Sequence, residues 1–257
     1  MAKRRLVTDS RPGMHLPEPV RRLLLPRIDP LTNLFLVLPL FVIYHLGVLL
    51  LMERGPSGQY QWVGNGVDFL TGTALTLAGG NVLVYAGVSL GVTALLTVLI
   101  LRARARSSLS PRMFIPVILE SSVYALLMAV AVGSVVASLG LGVLDINGLG
   151  AKWIASAGAG LHEELVFRMG LFHGIGYLLS RRMRPWLGWL IALTVSSLAF
   201  SAMHYLGPLG DPLRVSSFVF RLLLGVTLAG VYKARGFAIA AWTHCLYDVM
   251  YFTLRAQ

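Results

Sequence analysis

Apolar runs about twenty residues long, separated by short polar or basic blocks, organise almost the whole chain. A bilayer core about 30 Å thick needs about 20 residues of helix at a rise of about 1.5 Å each, so the runs are read as membrane spans. The first is predicted over Leu31 to Met52, retained rather than cleaved, behind a basic, proline-rich cytoplasmic tail (residues 1–30) with a short surface segment from Val20 to Leu25. A polar, glycine-rich loop follows from Glu53 to Gly66. The apolar stretch from Val67 to Leu101 is too long for one span, and Gly79-Gly80-Asn81 is the expected break, leaving a short piece before a second span over Val82 to Leu101. Further spans are predicted over Met113 to Leu139, Lys152 to Leu179, Trp186 to Leu206, Val215 to Tyr232 and Phe237 to Leu254, with a glycine-rich linker from Gly140 to Gly150. The fold class is therefore all-α: one transmembrane helix bundle (residues 31–257) of seven spans, or eight if the Val67 region also crosses.

Composition agrees with that pattern. Hydrophobic residues make up 56% of the chain, charged ones 13%, and the mean hydropathy is +0.73, more apolar surface than a soluble core can bury. The net charge of +11 does not point to nucleic acid, because the basic residues fall in alternate connections between spans. That alternation places the N-terminus in the cytoplasm and the C-terminus on the outer side of a cell (inner) membrane. A lone cysteine, Cys245, excludes an internal disulfide and any CxxC motif. No repeat is visible, and nothing sets an oligomeric state.

Ionisable residues inside spans are costly, about 2.5–3.5 kcal/mol for a central Asp, Lys or Arg on the lenient insertion scale, and so mark candidate chemistry. The Lys152–Leu179 span contains Gly160-Leu161-His162-Glu163-Glu164-Leu165-Val166-Phe167-Arg168. Glu164 and Arg168 are four apart and can pair on one helix face. Glu163 is turned about 100° away on an ideal α-helix and lacks a cation four residues on, which leaves it available for proton exchange. The Trp186–Leu206 span brings Phe200 and His204, and the last span brings His244 and Asp248, each pair again four apart. An acid, two histidines and a further acid are the parts needed to activate water and stabilise an oxyanion.

Glu163-Glu164-x-x-x-Arg168, Phe200-x-x-x-His204 and His244-x-x-x-Asp248, in that order on separate spans, resemble the motifs of the CAAX-protease and bacteriocin-processing (CPBP, or Abi) family. These are glutamate-dependent intramembrane endopeptidases that include the type II CAAX prenyl endopeptidases, and the motifs span residues 160–249. The resemblance implies that Glu163 is the general base and that His204 orients the attacking water. It implies that His244 and Asp248 face the substrate carbonyl as oxyanion stabilisers, with Glu164 and Arg168 as a supporting pair. Many members carry Asn where this chain has Asp248, and an ionised Asp only accepts hydrogen bonds. Asp248 must then be protonated, or must fix His244 in its cationic or donor form.

The expected partner is a membrane-anchored protein or peptide in the lipid bilayer, and no cofactor is expected. His162-Glu163 begins like a zinc HExxH motif, but Val166 stands where the second histidine belongs; zinc held by Glu163, His204 and His244 is the alternative. Buried acids and histidines also mark proton-coupled transporters, and a non-proteolytic membrane scaffold is a third reading. Glu120, His45 and His173 receive no role, and Cys245 is read as packing. Counting from the helix ends puts His204 about 28 Å from the inner side, so the cavity is expected to open to the outer half.

Overall fold

The computed structural model describes residues 28–54, 60–61, 69–104, 109–138, 149–206 and 210–255. The N-terminal tail, most of the 53–66 loop and nearly all of the 140–150 linker, which carried sequence readings, lie outside the described residues. The chain is all-α, apart from a two-residue antiparallel pairing of β1 (Glu53–Arg54) with β2 (Tyr60–Gln61) within the polar loop.

Helix α1 (Pro30–Leu51) begins where its sequence provides a start. Asp29 accepts the Thr32 N–H at 3.0 Å and the Thr32 hydroxyl at 2.6 Å, and Pro30 supplies a pre-set φ at the first position. The break expected after the next apolar segment is present. Short α2 (Phe69–Leu77) ends in a turn where Gly79 and Gly80 have φ of +62° and +69°, and α3 (Val82–Arg104) starts after it. A 3₁₀ turn (Pro111–Met113) leads into α4 (Phe114–Ser138). The fourth predicted span is one continuous rod of changing winding: α5 (Leu149–Gly158), a wide π-helical segment π1 (Ala159–His173) and α6 (Gly174–Ser180). Helices α7 (Pro185–Met203), α8 (Val215–Arg235) and α9 (Phe237–Arg255) complete the bundle.

Among the described residues, five helices, α1, α3, α4, α7 and α8, are long and apolar enough to cross a membrane. Their outward faces are uncovered hydrocarbon, as Leu83, Leu95, Leu119 and Leu126 illustrate, and only 17% of the α3 span is buried. Such a surface is stable only against lipid, so the protein is a multi-pass membrane protein. The α5–π1–α6 rod and α9 fall outside this group, and they carry Glu163, Glu164, Arg168, His244 and Asp248. Helix α9 packs against α1, α4, α5, α8 and π1, so much of its surface meets protein and tolerates polar groups.

Side-chain to backbone bonds fix α9 in the middle. Helix α8 ends at Gly236, whose φ of +96° turns the chain directly into α9. Asn33 of α1 accepts the Ala238 N–H at 2.7 Å and donates to the Ile28 carbonyl at 2.8 Å, tying the start of α9 to the start of α1. The Trp242 indole donates to the Leu36 carbonyl at 2.8 Å. Glu120 of α4, given no role from sequence, binds Arg235 at the end of α8, with a second contact at 2.9 Å.

Close approach of π1 to α9 depends on one glycine. A Cβ on Gly160 would run into the Ala241 carbonyl oxygen and lie 2.8 Å from the Cys245 Cβ. Neither obstacle is a flexible side-chain tip. Gly160→Ala is expected to destabilise the bundle by about 1–3 kcal/mol through overpacking and to push the Glu164 and His244 helices apart. Gly174→Ala, where a Cβ meets nothing within 4 Å, is the control. Thermal unfolding in detergent checks both; equal midpoints for the two variants would contradict this account.

Candidate active site

Three segments converge on the site: π1 with Glu163, Glu164 and Arg168, the end of α7 with Phe200 and His204, and the middle of α9 with His244 and Asp248. The wide winding of π1 changes the sequence-based geometry. More residues per turn means a smaller rotation between neighbours than the 100° of an α-helix, so Glu163 and Glu164 diverge somewhat less than the sequence-based reading has it. Each carboxylate then meets a different partner helix. Such windings are rare and often coincide with functional sites.

Glu164 is fully buried and central. Its Oε2 lies 3.1 Å from the Arg168 Nε, the i,i+4 pair expected from spacing, and its Oε1 lies 2.8 Å from the His244 Nδ1. The second contact was not foreseen. It makes Glu164 a bridge between π1 and α9 rather than a counter-ion alone. An ionised carboxylate only accepts, so Nδ1 of His244 carries the proton. The other ring nitrogen, Nε2, is then directed away from Glu164 and lies 3.7 Å from Asp248 Oδ2.

The second histidine has a fixed tautomer for a similar reason. His204 Nδ1 is 2.8 Å from the Phe200 carbonyl oxygen, which can only accept, so this nitrogen is the donor. In the neutral ring Nε2 then holds a lone pair, and it faces Glu163 Oε2 at 3.9 Å. That separation is too long for a direct hydrogen bond.

Phe200 has more to do than share a face with His204. Its ring stands edge-on to His204 (5.0 Å between centroids), His244 (5.9 Å) and Phe167 (5.4 Å), and the Arg168 guanidinium lies 4.2 Å above it. An aromatic face is a suitable cover for a guanidinium removed from water. Phe200 is therefore the floor on which both histidines and the buried cation rest.

All six residues singled out from sequence thus come together. Helix α7 starts at Pro185, one residue before the predicted start, and stops at Met203, three residues short of the predicted end, so His204 sits just past the helix in a tight turn. The other charged group near the site is Arg221, within electrostatic reach of His204 and Asp248 and ion-paired with Asp211. Sequence reading missed it, although a lone cation in the apolar run Phe218 to Leu224 was the same signal that exposed Glu163. Cys245 is buried against Gly160, consistent with packing. His45 bonds the Tyr85 hydroxyl at 2.6 Å and stacks obliquely on His162, joining α1, α3 and π1. His173 packs among Trp189, Tyr177 and Tyr232. Among the described residues, no group of three or more His, Cys, Asp or Glu is arranged to hold a metal ion.

No curated protein and no solved structure matches the chain. One protein-family model does, over residues 146–250 and therefore over every residue of the cluster: the family described as type II CAAX prenyl endopeptidase Rce1-like. The family that the three motifs resemble includes the one that the comparison returns, and over residues 146–250 this membrane protein is similar to the Rce1-like type II CAAX prenyl endopeptidases.

Proposed function

We propose that the chain hydrolyses a peptide bond of a membrane-anchored or hydrophobic peptide, with Glu163 as general base on a water held between it and His204. The single observation that carries this reading is the facing pair Glu163 Oε2 and His204 Nε2, 3.9 Å apart, with His204 Nδ1 already committed to the Phe200 carbonyl. Both facing atoms accept hydrogen bonds, so a water between them donates both hydrogens and turns its lone pairs toward a substrate carbonyl. Glu163 takes the proton as the oxygen adds to carbon, and returns it to the leaving nitrogen as the C–N bond breaks. The negative charge on the carbonyl oxygen falls to His244. Doubly protonated between Glu164 and Asp248, that ring presents Nε2–H to the oxyanion. Asp248 then acts through His244 rather than as a donor itself, the second of the two roles that sequence left open.

The seven-span count fits this reading, since the site-bearing α5–π1–α6 rod and α9 would be the two spans whose polar residues face protein instead of lipid. The N-terminus is placed in the cytoplasm of a cell membrane by the basic connections. Prenylated CAAX tails, sorting tails and leader peptides share the required chemistry, an extended peptide delivered from the bilayer.

Cleavage of two quenched-fluorescent peptides, one farnesylated at a CAAX cysteine and one carrying a Leu-rich anchor, tests the proposal in detergent or liposomes. Glu163→Gln and Glu163→Ala are expected to lower turnover at least about 100-fold with the thermal midpoint unchanged, and chelators are expected to leave the wild-type rate intact. Full activity in Glu163→Ala would sink the assignment of the base, and loss with chelator would sink the metal-free mechanism. Proton flux through the wild type, abolished by the same substitutions, would move the chain to a transporter.

Glu164→Gln should behave in the opposite way to Glu163→Gln in the unfolding assay. It leaves the buried Arg168 cation uncompensated, at a cost of about 3–5 kcal/mol, so the midpoint falls along with activity. At position 248, Asp248→Asn is expected to keep activity within about tenfold and Asp248→Ala to lose more than 100-fold, since Asn retains a polar group beside His244 and Ala does not. Equal losses in the two variants would remove Asp248 from the mechanism.

A further inference from the structure

His204 is the one residue of the cluster that no regular helix holds on its C-terminal side. Helix α7 ends at Met203, and the His204 N–H reaches the Ser201 carbonyl at a long 3.4 Å. The next two N–H groups close tight turns, Tyr205 onto Ala202 at 3.0 Å and Leu206 onto Met203 at 3.3 Å. Helix ends fray unless their orphan groups find partners. Yet the His204 ring must keep Nε2 aimed at Glu163 while its backbone lies at such an end.

The missing restraint comes from the start of α8. The His204 carbonyl accepts the Asp211 N–H at 2.9 Å. The Asp211 carboxylate grips the Arg221 guanidinium, which also donates to Ser217 Oγ at 2.8 Å and lies 5.1 Å over the Tyr205 ring. Tyr205 stacks on Phe218 with centroids 6.0 Å apart, and Ser201 Oγ donates to the Phe218 carbonyl at 2.7 Å. Residues before, beside and after His204 are thus all fastened to Ser217, Phe218 and Arg221. An arginine in an apolar run costs free energy to insert, and none of the three motifs includes it.

We infer that Asp211 and Arg221 are positioning residues that set the His204 ring against Glu163, acting through the turn that closes α7. The inference rests on the proposed role of His204 in holding the attacking water. The pair is partly exposed, Arg221 at 18% and Asp211 at 43%, so it adds little to global stability. Its effect is on placement, and misplacement by about 1 Å can cost a factor of about 100 in rate.

Two readouts separate this inference from the protease reading. The first is the rate at which diethylpyrocarbonate modifies His204 in the full-length protein, followed by mass spectrometry with exposed His173 as internal reference; it needs no turnover. The second is kcat and KM on the Leu-anchored peptide. Arg221→Gln and Asp211→Asn are expected to raise the His204 modification rate several-fold relative to His173, and to lower kcat about tenfold or more with KM changed less than twofold. Arg221→Lys should fall between them and wild type. The reversed pair, Asp211→Arg with Arg221→Asp, should recover both readouts in part. An unchanged His204 rate in both single variants overturns the inference, as does a rise in KM alone, which would make Arg221 a substrate contact. If the wild type cleaves nothing, the modification rates still decide the positioning role while the hydrolytic reading fails by itself.

Discussion

The buried Glu164 carboxylate is the interaction on which the site depends. It is the one group that touches both other members of the polar core, Arg168 at 3.1 Å on its own segment and His244 at 2.8 Å on α9. Without it a guanidinium that is only 1% exposed would face hydrocarbon, and His244 would lose the acceptor that decides which ring nitrogen bears the proton. A carboxylate that orients a histidine from behind is a recurring device in hydrolytic sites, here supplied by the residue next to the proposed general base. The Phe200 ring beneath completes the arrangement, since it covers the guanidinium face that Glu164 cannot reach.

Much of this architecture is visible in the sequence because a bilayer enforces a simple code. Apolar length locates the helices, and the Gly79-Gly80-Asn81 break is written in local chemistry. The six polar residues stand out because hydrocarbon offers them no other partner. What sequence could not show is the winding between Ala159 and His173. On an α-helix, Glu163 and Glu164 diverge by about 100°, and the natural reading separates a base from a distant supporting pair. In the structure the two adjacent carboxylates approach two different histidines, Glu163 facing His204 and Glu164 bonding His244. The Glu164 to His244 contact joins residues 80 apart and exists only because Gly160 lets π1 and α9 approach, which no pattern within either segment encodes.

The depth of His204 is a second case where counting along helices fell short. At a rise of about 1.5 Å per residue from Pro185 it lies far from Glu163, yet the two side chains face each other at 3.9 Å. Helix α7 does start at Pro185. Membrane helices tilt, so depths counted separately along two of them are a poor guide to which of their residues meet.

The two halves of the cluster differ in how firmly they are held. Glu164, Arg168 and His244 form a closed set, each buried in a helix interior and bonded to another member. Glu163 and His204 instead face each other at 3.9 Å without a direct hydrogen bond, and His204 stands on a helix end tied to Asp211 and to the first turns of α8. The proposed hydrolytic function suits this division. The oxyanion-binding side works best when fixed before the charge develops, whereas the water-holding side must admit a substrate carbonyl and then release two products. Placing His204 at a helix terminus leaves its position to the contacts of that turn with Asp211 and α8, whereas His244 is fixed within the hydrogen-bonded ladder of α9.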